Sequence, residues 1–96
     1  MLYAVISNDK KDHLNVRLEI RPKHLEYLKS LGKTVKFAGP FLDADEKPDG
    51  TLIVVEAKSP EEAKSFAEND PYAKAGLFSE VKIRPWRWSV NNPEEM

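Results

Sequence analysis

The sequence predicts an α+β domain, with four strands and two helices in the order βαββαβ. Three observations carry that expectation. Short runs rich in β-branched and aromatic residues alternate with helix-patterned stretches. Glycine and proline punctuate the joins between them. A Ser-Pro-Glu-Glu helix start at 59–62 then separates the strongest strand from a second helix.

The first strand is Leu2 to Ser7, followed by a charged turn from Asn8 to Asp12. From His13 to Gly32 the pattern is helical, with leucines at 14, 18, 25, 28 and 31. Pro22 interrupts it, and proline fits a first helical turn, so a short turn followed by a main helix from Pro22 to Leu31 is expected. Gly32 is its stop. Thr34 to Leu42 is a strand broken late by Gly39 and Pro40, and Asp43 to Gly50 is a loop. Thr51 to Ala57 is the most convincing strand. Ser59 can cap the second helix, Pro60 suits its first position, and Glu62 completes a capping box. That helix runs to about Asn69, Pro71 to Ala75 adds a turn ended by Gly76, and Phe78 to Val90 is the last strand. This order is the ferredoxin-like split βαβ plan, with both helices on one face of a four-stranded antiparallel sheet. Residues 1–90 form one domain and 91–96 a polar, frayed tail.

The other sheet face shapes the expected assembly. Leu52 and Val54 alternate with Ile53 and Val55, and Leu2, Ala4 and Ile6 alternate with Tyr3 and Val5, so both faces of these strands are apolar. A sheet with one wet face alternates apolar and polar residues, so a second sheet packed on this one is expected, in a homodimer. A chain of 96 residues buries only about 60–65% of its unfolded surface, which a partner would raise.

Composition removes several function classes. Fifteen basic against sixteen acidic side chains leave a charge of -1, without the basic excess of a nucleic-acid binder. No apolar run approaches the ~20 residues of a membrane span. The first ten residues lack the order of a signal peptide, and the expectation is a cytoplasmic domain. Without cysteine there is no disulfide, thiol nucleophile or thiolate metal site. His13 and His24 lack a carboxylate cluster for a metal, and no cofactor is expected. Asp43, Asp45 and Asp49 lack EF-hand spacing and suit a solvated loop better than a calcium site.

His24 shares a helical stripe with Leu28 and Leu31, and Asp70 shares one with Ala63, Phe66 and Ala67. If both stripes pack on one sheet face, His24 and Asp70 meet, and a carboxylate beside an imidazole makes it a usable general base. The structural alternative is a satisfied core histidine, with Asp70 capping a turn before Pro71. His13 suits the surface. Arg17 and Arg21, one turn apart, could hold an anionic substrate, although salt bridges to surface acids are favoured slightly. Trp86 and Trp88, beyond Pro85, suit aromatic packing at a dimer seam better than ligand stacking.

Taken together, these positions resemble the YciI-like (YCII-related) family from Met1 to about Trp88. Its landmarks are Arg21-Pro22-Lys23-His24-Leu25, Ala38-Gly39-Pro40, Gly50-Thr51, Ser59-Pro60-Glu61-Glu62-Ala63, Asp70-Pro71-Tyr72 and Ala75-Gly76-Leu77-Phe78. No single piece is specific, but all of them stand in order. The resemblance implies a ferredoxin-like fold in a dimeric α/β barrel, and a His-Asp active site that falls on His24 and Asp70. Its wider superfamily includes muconolactone isomerase-like enzymes, and a related member removes chloride from a chlorinated hydroxyhydroquinone. Thr51 departs from the serine usual after the glycine.

The expected function is therefore a small, cofactor-independent lyase or isomerase using His24 and Asp70 for proton transfer on a small cyclic or aromatic acid. Tyr72 would donate to a developing oxyanion, Gly39 and Pro40 would wall the pocket, and Arg21 and Thr51 would contact substrate. The rival is a non-catalytic dimeric module that binds a small metabolite, with the His24–Asp70 pair as a polar staple. A haem or metal oxygenase would rest on a single histidine ligand.

Overall fold

The run Leu2–Asp9 forms the first strand, β1, an inner strand of the sheet that is apolar on both faces from Leu2 to Ile6. The structure, a computed structural model, describes residues 1–95. Helix α1 spans Leu14–Ser30, strands β2 and β3 span Val35–Leu42 and Pro48–Glu56, and helix α2 spans Pro60–Glu68. A single-turn helix α3, Pro71–Lys74, precedes strand β4, Phe78–Trp86. Short 3-10 turns lie at Gly32–Thr34 and Pro93–Glu95. The sheet order is β2-β3-β1-β4 with every neighbour antiparallel, which is the ferredoxin-like α+β fold. No described helix is long and apolar enough to cross a membrane.

The core lies between the helices and one sheet face. Tyr3, Val5, Ile53 and Val55 project from the inner strands onto Ala63, with Phe66, Ala67 and Leu28 packed around them. Burying a side chain such as Val55 contributes about 1.5–3 kcal/mol. Gly50 is required where β3 crosses closest to β1, since a Cβ there would stand 2.6 Å from the Ser7 carbonyl oxygen.

Several boundaries depart from expectation. The first helix is continuous from Leu14 rather than starting at Pro22. Pro22 sits on its exposed side, where the missing N–H leaves only the Leu18 carbonyl without its helical donor. Strand β3 starts at Pro48 rather than Thr51, so the acidic loop is a short turn in which the Asp43 carboxylate accepts from the Asp45 and Lys47 N–H groups. Helix α2 stops at Glu68, and Asp70 stands beyond it as the N-cap of α3 rather than on its apolar stripe.

The last strand ends at Trp86 rather than Val90, and the chain then turns over the open sheet face. Phe37 of β2 and Trp86 of β4 belong to opposite edge strands, yet their ring centroids are 5.6 Å apart. Trp88 joins them at 5.0 Å from Phe37, and Lys36 Nζ meets Glu94 Oε1 at 2.7 Å. The expected frayed tail is thus partly docked, while Met96 lies outside the described residues. Val54 and Ala4, on this open face, are buried within one chain. The two tryptophans therefore find their aromatic partner, Phe37, inside the subunit.

Candidate functional site

The Asp70-Pro71-Tyr72 tripeptide builds the centre of the site. Proline restricts the residue before it to extended backbone, and Asp70 has ψ 129. This turns its carboxylate back to accept the Tyr72 N–H at 2.9 Å, capping α3. The same carboxylate accepts from His24 Nδ1, with both oxygens at 2.9 Å. Both side chains are almost wholly buried. An ionised carboxylate only accepts, so the pairing places a ring proton on Nδ1, and in the neutral imidazole the lone pair is then on Nε2. No sealed polar side-chain atom among the described residues lacks a partner, and Nε2 makes no hydrogen bond, so Nε2 is open to the cavity His24 lines. The Tyr72 ring stacks on the imidazole, with centroids 4.0 Å apart.

A second buried pair lies two helical turns earlier on α1. Arg17 donates from Nε to Asp9 Oδ2 at 2.7 Å and from Nη2 to Asp9 Oδ1 at 2.9 Å. Nη2 also donates to Thr51 Oγ1 at 2.7 Å. Asp9 comes from the end of β1, at an irregularity in the β1–β4 ladder. Tyr72 links the two pairs, because the Arg17 guanidinium carbon also lies 4.6 Å from its ring centroid. Burial works against the Arg17 charge, but Asp9 outweighs it and the net pKa shift is upward. Burial pushes the Tyr72 phenol above 10.0, against the pull of Arg17 and Arg21, so its hydroxyl stays protonated near neutral pH.

These side chains face one cavity of about 260 Å³ between α1 and the β2–β3 hairpin. It falls below the roughly 300–1,000 Å³ of drug-sized sites, a space for one small ring rather than a dinucleotide or a peptide. Helix α1 supplies Arg17, Arg21 and His24 with the apolar Leu18, Leu25 and Leu28. Ala38, Gly39, Pro40, Pro48 and Thr51 form the strand wall, and Tyr72 closes the end. Arg21, His24, Gly39, Pro40, Thr51 and Tyr72, all singled out from sequence, therefore line one space. Asp70 does not reach it and stands behind His24. The two readings of Asp70 coexist, since it both caps a turn and binds the imidazole.

Arg17 departs from the surface salt bridge expected of it: it is buried, on a buried acid. Arg21 is exposed and makes no ion pair among the described residues. The available signal was that Arg17, Arg21 and His24 occupy one stripe at four- and three-residue steps. Nothing in the sequence pointed to Asp9 or Pro48.

Comparison with known proteins adds the family. Protein YciI of Escherichia coli O6:H1 is 34% identical over 95 residues, covering 91% of this chain and 97% of that protein. A protein of the biosynthesis cluster for a benzaldehyde derivative in Emericella nidulans is 36% identical over 77 residues, covering 71% of this chain and 79% of that one. Among solved structures, 5-chloro-2-hydroxyhydroquinone dehydrochlorinase of Burkholderia phenoliruptrix, in complex with 2,5-dihydroxybenzoquinone, superposes with a TM-score of 0.87. It is 35% identical, over 96% of this chain and 99% of its own. An antibiotic biosynthesis monooxygenase, at 10% identity and a TM-score of 0.54, shares the fold alone. The family model for the YCII-related domain matches residues 1–87, and with these relatives it establishes that the chain belongs to the YCII-related domain family.

Proposed function

We propose that the chain is a small, cofactor-independent lyase or isomerase that moves a proton on a small cyclic or aromatic acid. His24 Nε2 takes the proton, and Asp70 fixes the tautomer and supports the imidazolium that forms. The electron pair released moves onto a ring oxygen as an enolate, towards which Tyr72 donates. The proton then returns at another carbon, or the ring expels an anionic leaving group. Arg21, Thr51, Gly39 and Pro40 contact the substrate. One observation carries the reading: His24 lines a cavity of single-ring size while its Nδ1 is held by a carboxylate. The family and fold shared with a dehydrochlorinase of a hydroxylated ring support the substrate class.

The test is chloride release from 5-chloro-2-hydroxyhydroquinone, with and without His24→Ala. The expected result is a loss of about 10²- to 10⁴-fold with the fold intact by circular dichroism. Undiminished turnover in the variant removes His24 from the mechanism. The rival, a non-catalytic metabolite-binding module, draws support from the Asp70 cap, which suits a staple between α1 and α3. Binding of the ring without turnover of any such substrate would favour it.

The proposed assembly is a homodimer through the open sheet face. Leu2, Ile6 and Leu52 there are only half-buried, and Phe41 and Trp86 are exposed. Sedimentation at micromolar concentration is expected to give twice the mass of one chain. A monomer at every concentration refutes the dimer.

A further inference from the structure

The Arg17 guanidinium has five N–H donors, and the structure accounts for three. Asp9 takes the Nε edge, and Thr51 takes the second Nη2 hydrogen. Nη1 has no well-aligned hydrogen bond among the described residues, although the Tyr72 phenol is near enough to favour the charge. Arg17 is only 3% exposed and lines the cavity, and no sealed side-chain nitrogen lacks a partner. Nη1 is therefore open to the cavity. The Thr51 hydroxyl accepts from Nη2, which leaves its own hydrogen free to donate.

The geometry also limits what can bind. A carboxylate grips arginine through two parallel N–H groups on one edge of the fork. Here Asp9 occupies one such edge and Thr51 takes half of the other, so no free edge is left. What remains is Nη1, with the Tyr72 phenol near the guanidinium, beside the Thr51 hydroxyl, an arrangement that suits a single oxygen atom. Among the described residues no carboxylate lines the cavity, and Arg21 adds a positive charge at its margin. We propose that Arg17 Nη1 and the Thr51 hydroxyl together bind one anionic ring oxygen, a phenolate or enolate, in preference to a carboxylate. The substrate would then be an acidic hydroxylated ring. The inference rests on the proposed function in taking this cavity as the ligand site, and it does not require His24 to be a base.

Calorimetry with three probes tests it: 4-nitrophenolate, 4-nitrobenzoate and the neutral 4-nitroanisole, at a pH where the first two are ionised. Wild type is expected to bind the phenolate about tenfold or more tighter than either of the others. Arg17→Lys keeps a charge for Asp9 but loses Nη1, and is expected to weaken the phenolate about 10- to 100-fold. Thr51→Val, nearly isosteric, is expected to lose about tenfold for the phenolate and little for the ether. No phenolate binding by wild type, equal affinity for the benzoate, or unchanged affinity in both variants would each overturn the proposal. The two readings separate cleanly. If His24→Ala keeps full turnover while Arg17→Lys loses the phenolate, the base fails and the anchor stands.

Discussion

Helices α1 and α2 cover the same sheet face, but they bury different chemistry. Helix α2 begins with a Ser59 cap and a proline and buries Ala63, with Phe66 and Ala67 packed on the core. Helix α1 has no side-chain cap at its start and a proline inside it, and its buried residues are Arg17 and His24. A charge on a core-facing stripe survives only with a dedicated partner, because desolvation otherwise exceeds what packing returns. Here each partner comes from another element, Asp9 from β1 and Asp70 from the start of α3. The lesson is that α2 builds the core, whereas α1 forms one wall of a cavity.

The sharpest way to break that contrast is Asp70→Asn. Asparagine caps a helix as well as aspartate does, so α3 survives, but the charge and the preferred tautomer go. Turnover of a substrate found by chloride release is expected to fall about 10²- to 10⁴-fold, with the unfolding midpoint changed little. Nitrogen-15 shifts of the His24 ring are expected to show the Nδ1–H tautomer in wild type and a redistribution in the variant. Next in size is Arg17→Met, which strands the buried Asp9 carboxylate and is expected to cost about 3–5 kcal/mol in urea unfolding. Adding Asp9→Asn is expected to recover part of that loss; no recovery would mean that the cost lies in packing. The smallest effect belongs to α2. Ser59→Ala removes the bond to the Glu62 N–H and is expected to cost about 1 kcal/mol while leaving probe binding alone. A change in binding would show that α2 also shapes the cavity.

The strand pattern of Leu2 to Ser7 and Thr51 to Ala57 made the fold legible, because apolar periodicity is a local signal. His24 and Asp70 were legible as ionisable residues next to apolar positions. Asp70 reached its partner by a different route, from the cap of α3 rather than the α2 stripe. Which acid would meet Arg17 was not legible, since Asp9 is eight residues away and its aim depends on how β1 ends. Pro22 is a misleading boundary signal because its cost of about 3 kcal/mol is local, and the tertiary contacts of α1 on both sides of it outweigh that cost. The apolar second face predicts a covering sheet from a partner, and within one chain the structure covers part of that face with the C-terminal segment.

That segment does more than hide surface. It ties β4 to β2 over the two strands between them, as a chord spans a bow. Phe37, where the chord is anchored, directly precedes Ala38, Gly39 and Pro40, the strand wall of the cavity. An edge strand is paired on one side only, and here β2 is also held by an aromatic contact that reaches it from the opposite edge. The strand that walls the cavity is thus braced by residues that do not themselves line it.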